Sequence, residues 1–178
     1  MLYKSFARLG DHAMYRKEYE NVGLEMFTPY DRENVRENKQ LGGYFVQAFL
    51  VPHGDCRCYG LLIKHKNGES ALFITDFLYT QYSFKACKIN NFIVECNYQH
   101  KYVDRELANF AHKIGDHCSF DTCKKFLEVN NTDATKNVLL VHYGFETCDI
   151  KECVDEVQKT LGNGVKVDYA RKGEVYQL

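Results

Sequence analysis

The sequence predicts a single mixed α/β domain, and three observations carry that prediction. Short apolar runs of strand length alternate with amphipathic stretches of helical period, with no internal repeat or linker between them. The 178 residues are 45% hydrophobic, enough for one core and too few for two comfortable ones. Only 2 prolines and 12 glycines stand against 13 tyrosines and 12 phenylalanines, which excludes disordered and collagen-like classes. Lys+Arg number 23 and Asp+Glu 24, so the net charge of -1 shows no basic footprint for nucleic acid. No apolar run approaches the ~20 residues of a membrane span, and residues 1–10 lack the apolar stretch of a secretory signal. The expected location is cytoplasmic.

Residues 11–21 read as a helix, with Met14, Tyr15 and Tyr19 on one face and Gly23 as the stop. A short strand follows at 24–27. Thr28, Pro29 and Asp31 then supply an N-cap, a first-turn proline and an acidic first turn for a polar helix running through Asn38. Strands are expected at 44–51, 59–64 and 70–75, the last two joined by Asn67-Gly68 in a type I′ turn. Residues 89–95 form a fourth apolar strand. Residues 101–114 have helical period, with Val103, Leu107, Phe110, Ala111 and Ile114 on the side expected to be buried. Ser119 caps a helix through Val129, and 138–141 is a short buried strand. Asp149 and Glu152 make a capping box ahead of Val154, Val157 and Leu161, with Gly162 past the end. Strands at 165–169 and 174–176 close the chain.

The eight cysteines, at 56, 58, 87, 96, 118, 123, 148 and 153, include no C-x2-C pair, so the spacing offers no zinc-finger framework. A chain of this length without a signal sequence needs no disulfide staples either. Cys96, at the end of an apolar strand, and Cys153, on the apolar face of a helix, stand where small hydrophobes would. Reduced, structural thiols are expected.

The chemistry concentrates at strand ends. Four apolar runs lead directly into a residue that binds metal or moves protons: 49–52 into His53, 73–75 into Asp76, 92–94 into Glu95 and 139–141 into His142. Any one of them reads equally as a polar residue where a strand meets water. Four together point to a site on one rim of a sheet. His65, His100 and His112 have no such placement and read as surface residues, and the acidic group around Glu146, Asp149 and Glu152 reads as a solvated helix start.

Leu9-Gly10-Asp11-His12, Val51-Pro52-His53, Ile74-Thr75-Asp76 and Val141-His142 fall in the order of the metal motifs of the metallo-β-lactamase superfamily, which the chain resembles. The likeness to its bacterial and phage hydrolases lies in VPHGDCRCYGLLI, LFITD, FIVECNY, HCSFDTCKKFL and VLLVHYG, and covers nearly everything from Leu9 onward. The resemblance implies an αββα sandwich, with residues 1–178 as one domain corresponding to the C-terminal two-thirds of the usual fold. Only ten residues precede Asp11, so part of the N-terminal sheet is expected to be missing, and homo-oligomer formation through the incomplete sheet is expected with it.

The resemblance also implies a metal centre. The family motif H-x-H-x-D-H supplies two histidines to one zinc and an Asp-His pair to the other. Here the two leading positions are Ala7 and Leu9, which leaves the first site His53 and a share of Asp76. The second site is complete in Asp11, His12, Asp76 and His142. One zinc ion is expected in preference to two, and the ligands equally suit manganese or iron. Asp11 would ligate or orient the attacking water, while Glu95 and His117 match the Glu and His that ribonuclease Z enzymes place behind the site to pass a proton to the leaving group. A metal-dependent hydrolase of a phosphodiester or other ester is the implied function. A non-catalytic binding or structural member of the family, or a fragment of a longer hydrolase, are the alternatives.

Overall fold

The computed structural model describes residues 38–177 except residue 107, with side chains from residue 42 onward. The elements expected at 11–21, at 24–27 and from Thr28, and the positions Ala7, Leu9, Asp11 and His12, lie outside the described residues. Seven strands follow one another: β1 (Asn38–Leu41), β2 (Tyr44–His53), β3 (Cys56–His65), β4 (Ser70–Ile74), β5 (Asn91–Glu95), β6 (Asn137–Val141) and β7 (Lys166–Tyr169). They form one sheet in sequence order. The pairings from β1 to β4 are antiparallel, made by tight connections, and those from β4 to β7 are parallel, with longer crossovers.

Three helices occupy the later crossovers: α1 (Phe110–Asp116), α2 (Phe120–Asn130) and α3 (Ile150–Leu161). The caps of α2 and α3 are those the sequence predicts. Ser119 Oγ accepts from Thr122 N, Asp149 accepts from Glu152 N, and Gly162 ends α3 with φ 84°. Alternation along the strands buries both faces of the sheet. Val51, Leu62, Leu72, Ile74, Phe92, Val94 and Leu140 pack with Phe126, Leu127 and Val157 of the helices, while Val46, Ala48, Tyr59, Leu61 and Phe73 form a second buried cluster.

Four expectations need correction. The β3–β4 turn is not type I′, because Gly68 alone has positive φ (94°); Gly68 N donates to His65 O, and Asn67 Oδ1 accepts from Glu69 N. The helix expected over 101–114 is a 3₁₀ turn at His100–Tyr102 followed by α1, and Ala111 and Ile114 are exposed. Asp104 Oδ1 accepts from Glu106 N at 2.9 Å, a local bond that competes with helix propagation at that point. Residues 174–176 are not a strand; the Tyr176 hydroxyl, which bonds Tyr169 O at 3.1 Å and accepts from Arg171 N at 2.8 Å, anchors them instead. Asn38, expected at the end of a helix, begins β1.

Candidate metal centre

Strand direction assembles the site. β2 and β4 are both antiparallel to β3, so they run the same way, and β5 and β6 run parallel to β4. The carboxyl ends of β2, β4, β5 and β6 therefore lie on one rim, and these are the four ends that lead into His53, Asp76, Glu95 and His142. Backbone bonds fasten the rim: Leu78 N donates to Pro52 O at 2.8 Å, and Cys96 N to Val141 O at 3.0 Å. The loop after α1 joins in, with Asn97 N donating to Cys118 O at 2.9 Å.

Asp76 and His142 each follow a strand end in the left-handed region, with φ 52° and 54°. A non-glycine residue in this region costs of order 1–3 kcal/mol. Of the three non-glycine residues in this region among the described residues, Lys88 ends a 3₁₀ turn at Lys85–Cys87, and the other two are these sequence-predicted ligands. A similar constraint acts at Gly54 in the β2–β3 turn, where φ is 49° and a Cβ would lie 2.6 Å from Asp116 Oδ1. The positive φ favours glycine here, and a larger residue would also have to displace the Asp116 carboxylate at the end of α1.

Glu95 is the hub. Its carboxylate is fully buried and faces five donors: His117 Nδ1 at 2.7 Å and Cys118 N at 3.3 Å on Oε1, with His142 Nδ1 at 3.3 Å, Phe77 N at 3.4 Å and the amide of Asp76 on Oε2. Burial pushes the Glu95 pKa up, but the bonds from His117 and His142 together outweigh it and leave the carboxyl below its ordinary value. The same bond is the main reason that the His142 pKa is raised, against the opposing effect of burial. Glu95 thus holds two imidazoles and the Asp76 backbone, and is a positioning residue.

Around this hub, Asp76 Oδ1 lies 4.0 Å from His53 Nε2 and 3.7 Å from His142 Nδ1. His53 is oriented by its Nδ1, 2.8 Å from Asp116 O, which leaves Nε2 toward the centre. His117 bonds Glu95 through Nδ1, so its Nε2 is the ring nitrogen left for other chemistry. Its ring centroid is 4.9 Å from that of His53 and 5.1 Å from that of His142. Ligating atoms of His53, Asp76 and His117 all lie within 4.8 Å of one another, as do those of Glu95, His117 and His142. Donors bound ~2.0–2.2 Å from one zinc ion lie about 3–3.5 Å apart, so modest side-chain rotations bring imidazole and carboxylate onto an ion here. The donor set fits a borderline metal.

The described residues therefore bring together His53, Asp76, Glu95, His117 and His142, while Asp11 and His12 lie outside them. His112, read from sequence as a surface residue, stands at the edge of this group. It is half exposed, but its ring centroid is 5.1 Å from that of His117 and its Nδ1 pairs with the Asp116 carboxylate. The four-residue spacing of His112 and Asp116 on one helix was the available signal. His65 and His100 are elsewhere, packed on Tyr44 and Tyr98.

The chain has the metallo-β-lactamase fold. It is similar to the metallo-β-lactamase fold protein YhfI from Bacillus subtilis, at 16% identity and a TM-score of 0.58 over 90% of this chain and 61% of that one. It thus spans 61% of the length of that relative. Two others are a diphosphatase of the PhnP family, at 16% identity and TM-score 0.48 over 74% of this chain and 43% of that one, and a long-form RNase Z from yeast, at 14% and 0.46 over 90% and 18%. No family model and no curated protein matches the sequence. The described residues supply one sheet with its helices, and the other sheet of an αββα sandwich falls on none of them.

Proposed function

We propose that the chain is a metal-dependent hydrolase acting on a phosphodiester or other ester. The observation that carries this reading is the convergence of His53, Asp76 and His142 on one rim, two of them held in left-handed backbone. Strain of this kind persists where the surrounding structure over-determines it, and it clusters at functional sites. The likeness to a metallo-β-lactamase fold protein supports the same class by analogy.

His53, Asp76 and His142 would hold the ion, with Asp11 and His12 as further ligands from the sequence motif. Zinc is favoured, as a single ion, and manganese or iron suit the same donors. When bound, such an ion supplies Lewis acidity and a water of lowered pKa. Asp76 carries the charge that neutralises the cation, and its Oδ1 faces both imidazoles. Glu95 fixes the ring orientation of His117 and His142 from behind. His117 Nε2 delivers a proton to the leaving oxygen, an effect that typically contributes 10²–10⁴-fold. The substrate is a small molecule or phosphodiester, and the active form is a homo-oligomer in the cytoplasm. Among the described residues no helix is long and apolar enough to cross a membrane.

The test is metal content and hydrolysis of bis(p-nitrophenyl) phosphate by protein purified without chelator. Asp76→Ala and His142→Ala should each lose the ion and the turnover together, and His117→Ala should keep the ion and lose turnover. Wild type with no ion at these residues would overturn the proposal. An ion held without hydrolysis of any ester would favour the non-catalytic reading.

A further inference from the structure

A second cluster of ligating side chains lies outside this centre and is made of cysteines. Cys96, Cys123 and Cys153 are fully buried and Cys148 is 8% exposed. They come from three elements: Cys96 follows β5, Cys123 is on α2, and Cys148 and Cys153 flank the start of α3. The sulfurs of Cys96, Cys148 and Cys153 all lie within 4.8 Å of one another, and Cys148 Sγ is 3.6 Å from Cys153 Sγ. Cys123 belongs to the same core cluster. All eight cysteines are free thiols.

The positions in the helices are specific. With Asp149 as N-cap, Cys148 precedes the cap and Cys153 is the fourth helical residue, and Cys118 and Cys123 stand in the same relation to Ser119. Any two hydrophobes could serve at these places as a staple. A staple does not account for the Cys96 thiol arriving at the Cys148–Cys153 pair from the end of β5. The thiols before both caps also donate to backbone oxygens, Cys118 to Ser119 O at 3.4 Å and Cys148 to Cys96 O at 3.6 Å.

We propose that Cys96, Cys148 and Cys153 form a thiolate site for one soft divalent cation of the zinc class, separate from the histidine–aspartate centre. A tetrahedral zinc with Zn–S of ~2.3 Å places its sulfurs about 3.8 Å apart, and the Cys148–Cys153 separation is 3.6 Å. Sulfurs this close enclose one ion and leave no room for a polynuclear iron–sulfur cluster. Three thiolates with a divalent ion give the site a net charge of -1, and the first turn of α3 presents its positive end to it. Buried, all-sulfur coordination suits a zinc-class ion in a structural role. The site goes beyond the proposed hydrolase and shares no ligand with its centre.

The experiment uses the full chain, purified under reducing conditions without chelator, with zinc and cobalt as probes. Asp76→Ala, which removes the other centre, should retain about one zinc per chain, and its cobalt form should show sulfur-to-cobalt charge-transfer absorption. Cys153→Ser and Cys96→Ser should reduce that absorption at least tenfold. Should these variants not fold, titration of zinc-loaded Asp76→Ala with a mercurial should release the zinc in proportion to the thiols modified. An Asp76→Ala chain without zinc, cobalt spectra lacking the sulfur band, or a Cys148–Cys153 disulfide in the reduced preparation would each overturn the proposal.

Discussion

Glu95→Gln is the most informative single change, because it keeps the volume of a fully buried side chain and alters only its charge and hydrogen bonding. Either orientation of the new amide fails. With the NH₂ in place of Oε1 it meets His117 Nδ1 and Cys118 N; in place of Oε2 it meets the amides of Asp76 and Phe77 and faces His142 Nδ1. At least two buried donors then lack an acceptor, at roughly 1–3 kcal/mol each. A shift of the His117 tautomer recovers one of them, which leaves one donor unpaired and a loss of about 2 kcal/mol. At ~2–4 °C per kcal/mol for a chain of this size, the melting temperature should fall by about 4–8 °C. Urea unfolding of chelator-treated protein, followed by circular dichroism, measures this without any contribution from bound metal. Glu95→Leu should be worse, since it abandons every donor. A Glu95→Gln variant within about 1 kcal/mol of wild type would refute the role of Glu95 as the hub of the rim.

The pH dependence of the metal-free chain follows from the two shifted groups. Glu95 is lowered from 4.5, so its contribution is complete above that value and is lost as pH falls through the folded-state pKa. His142 is raised from 6.5, so its contribution is complete below that value and is lost as pH rises through the folded-state pKa. Stability measured by urea unfolding should therefore be greatest between 4.5 and 6.5 as far as this pair is concerned, and Glu95→Gln should flatten both limbs. Gly54→Ala places a Cβ against Asp116 at positive φ, and should cost about 1–3 kcal/mol by thermal melting. Sedimentation equilibrium should find the chain self-associated, and a monodisperse monomer would count against the proposed homo-oligomer.

Much of the fold was legible because local chemistry and tertiary structure agreed. The Ser119 and Asp149 caps, Gly162 after α3, and the apolar runs of β4, β5 and β6 each have one favourable arrangement. Residues 101–114 were misleading because helical periodicity says nothing about the Asp104 side chain capturing a backbone N–H of its own turn. Four of the site residues could be found because each directly follows an apolar strand. Their shared rim was expected on the same ground, but it rests on which strands run parallel, and strand direction was not legible in the sequence. The placement of Glu95 with His117 came from family resemblance, whereas its bonds to His142 and to the Asp76 and Phe77 amides required coordinates. The meeting of Cys96, Cys148 and Cys153 was not legible for a similar reason: these sulfurs come from a strand end and the start of α3, and no sequence interval encodes that meeting.

The carboxyl end of β5 joins the two clusters. Glu95 turns to the histidines, and Cys96, the next residue, turns to the thiols of Cys148 and Cys153 at the start of α3, as successive side chains of an extended backbone must. The backbone ties the same point to its neighbours, through Cys96 N to Val141 O, Asn97 N to Cys118 O, and Cys118 N back to Glu95 Oε1. A rim built from strand ends has few lateral restraints of its own, because ladder bonds stop where the strands stop. Contacts beneath the rim must therefore set its geometry, and a displacement of under an ångström there is enough to misalign a metal ligand. Packing around Cys96 thus bears on the orientation of Glu95, and through it on His117, His142 and the strained turn at Asp76.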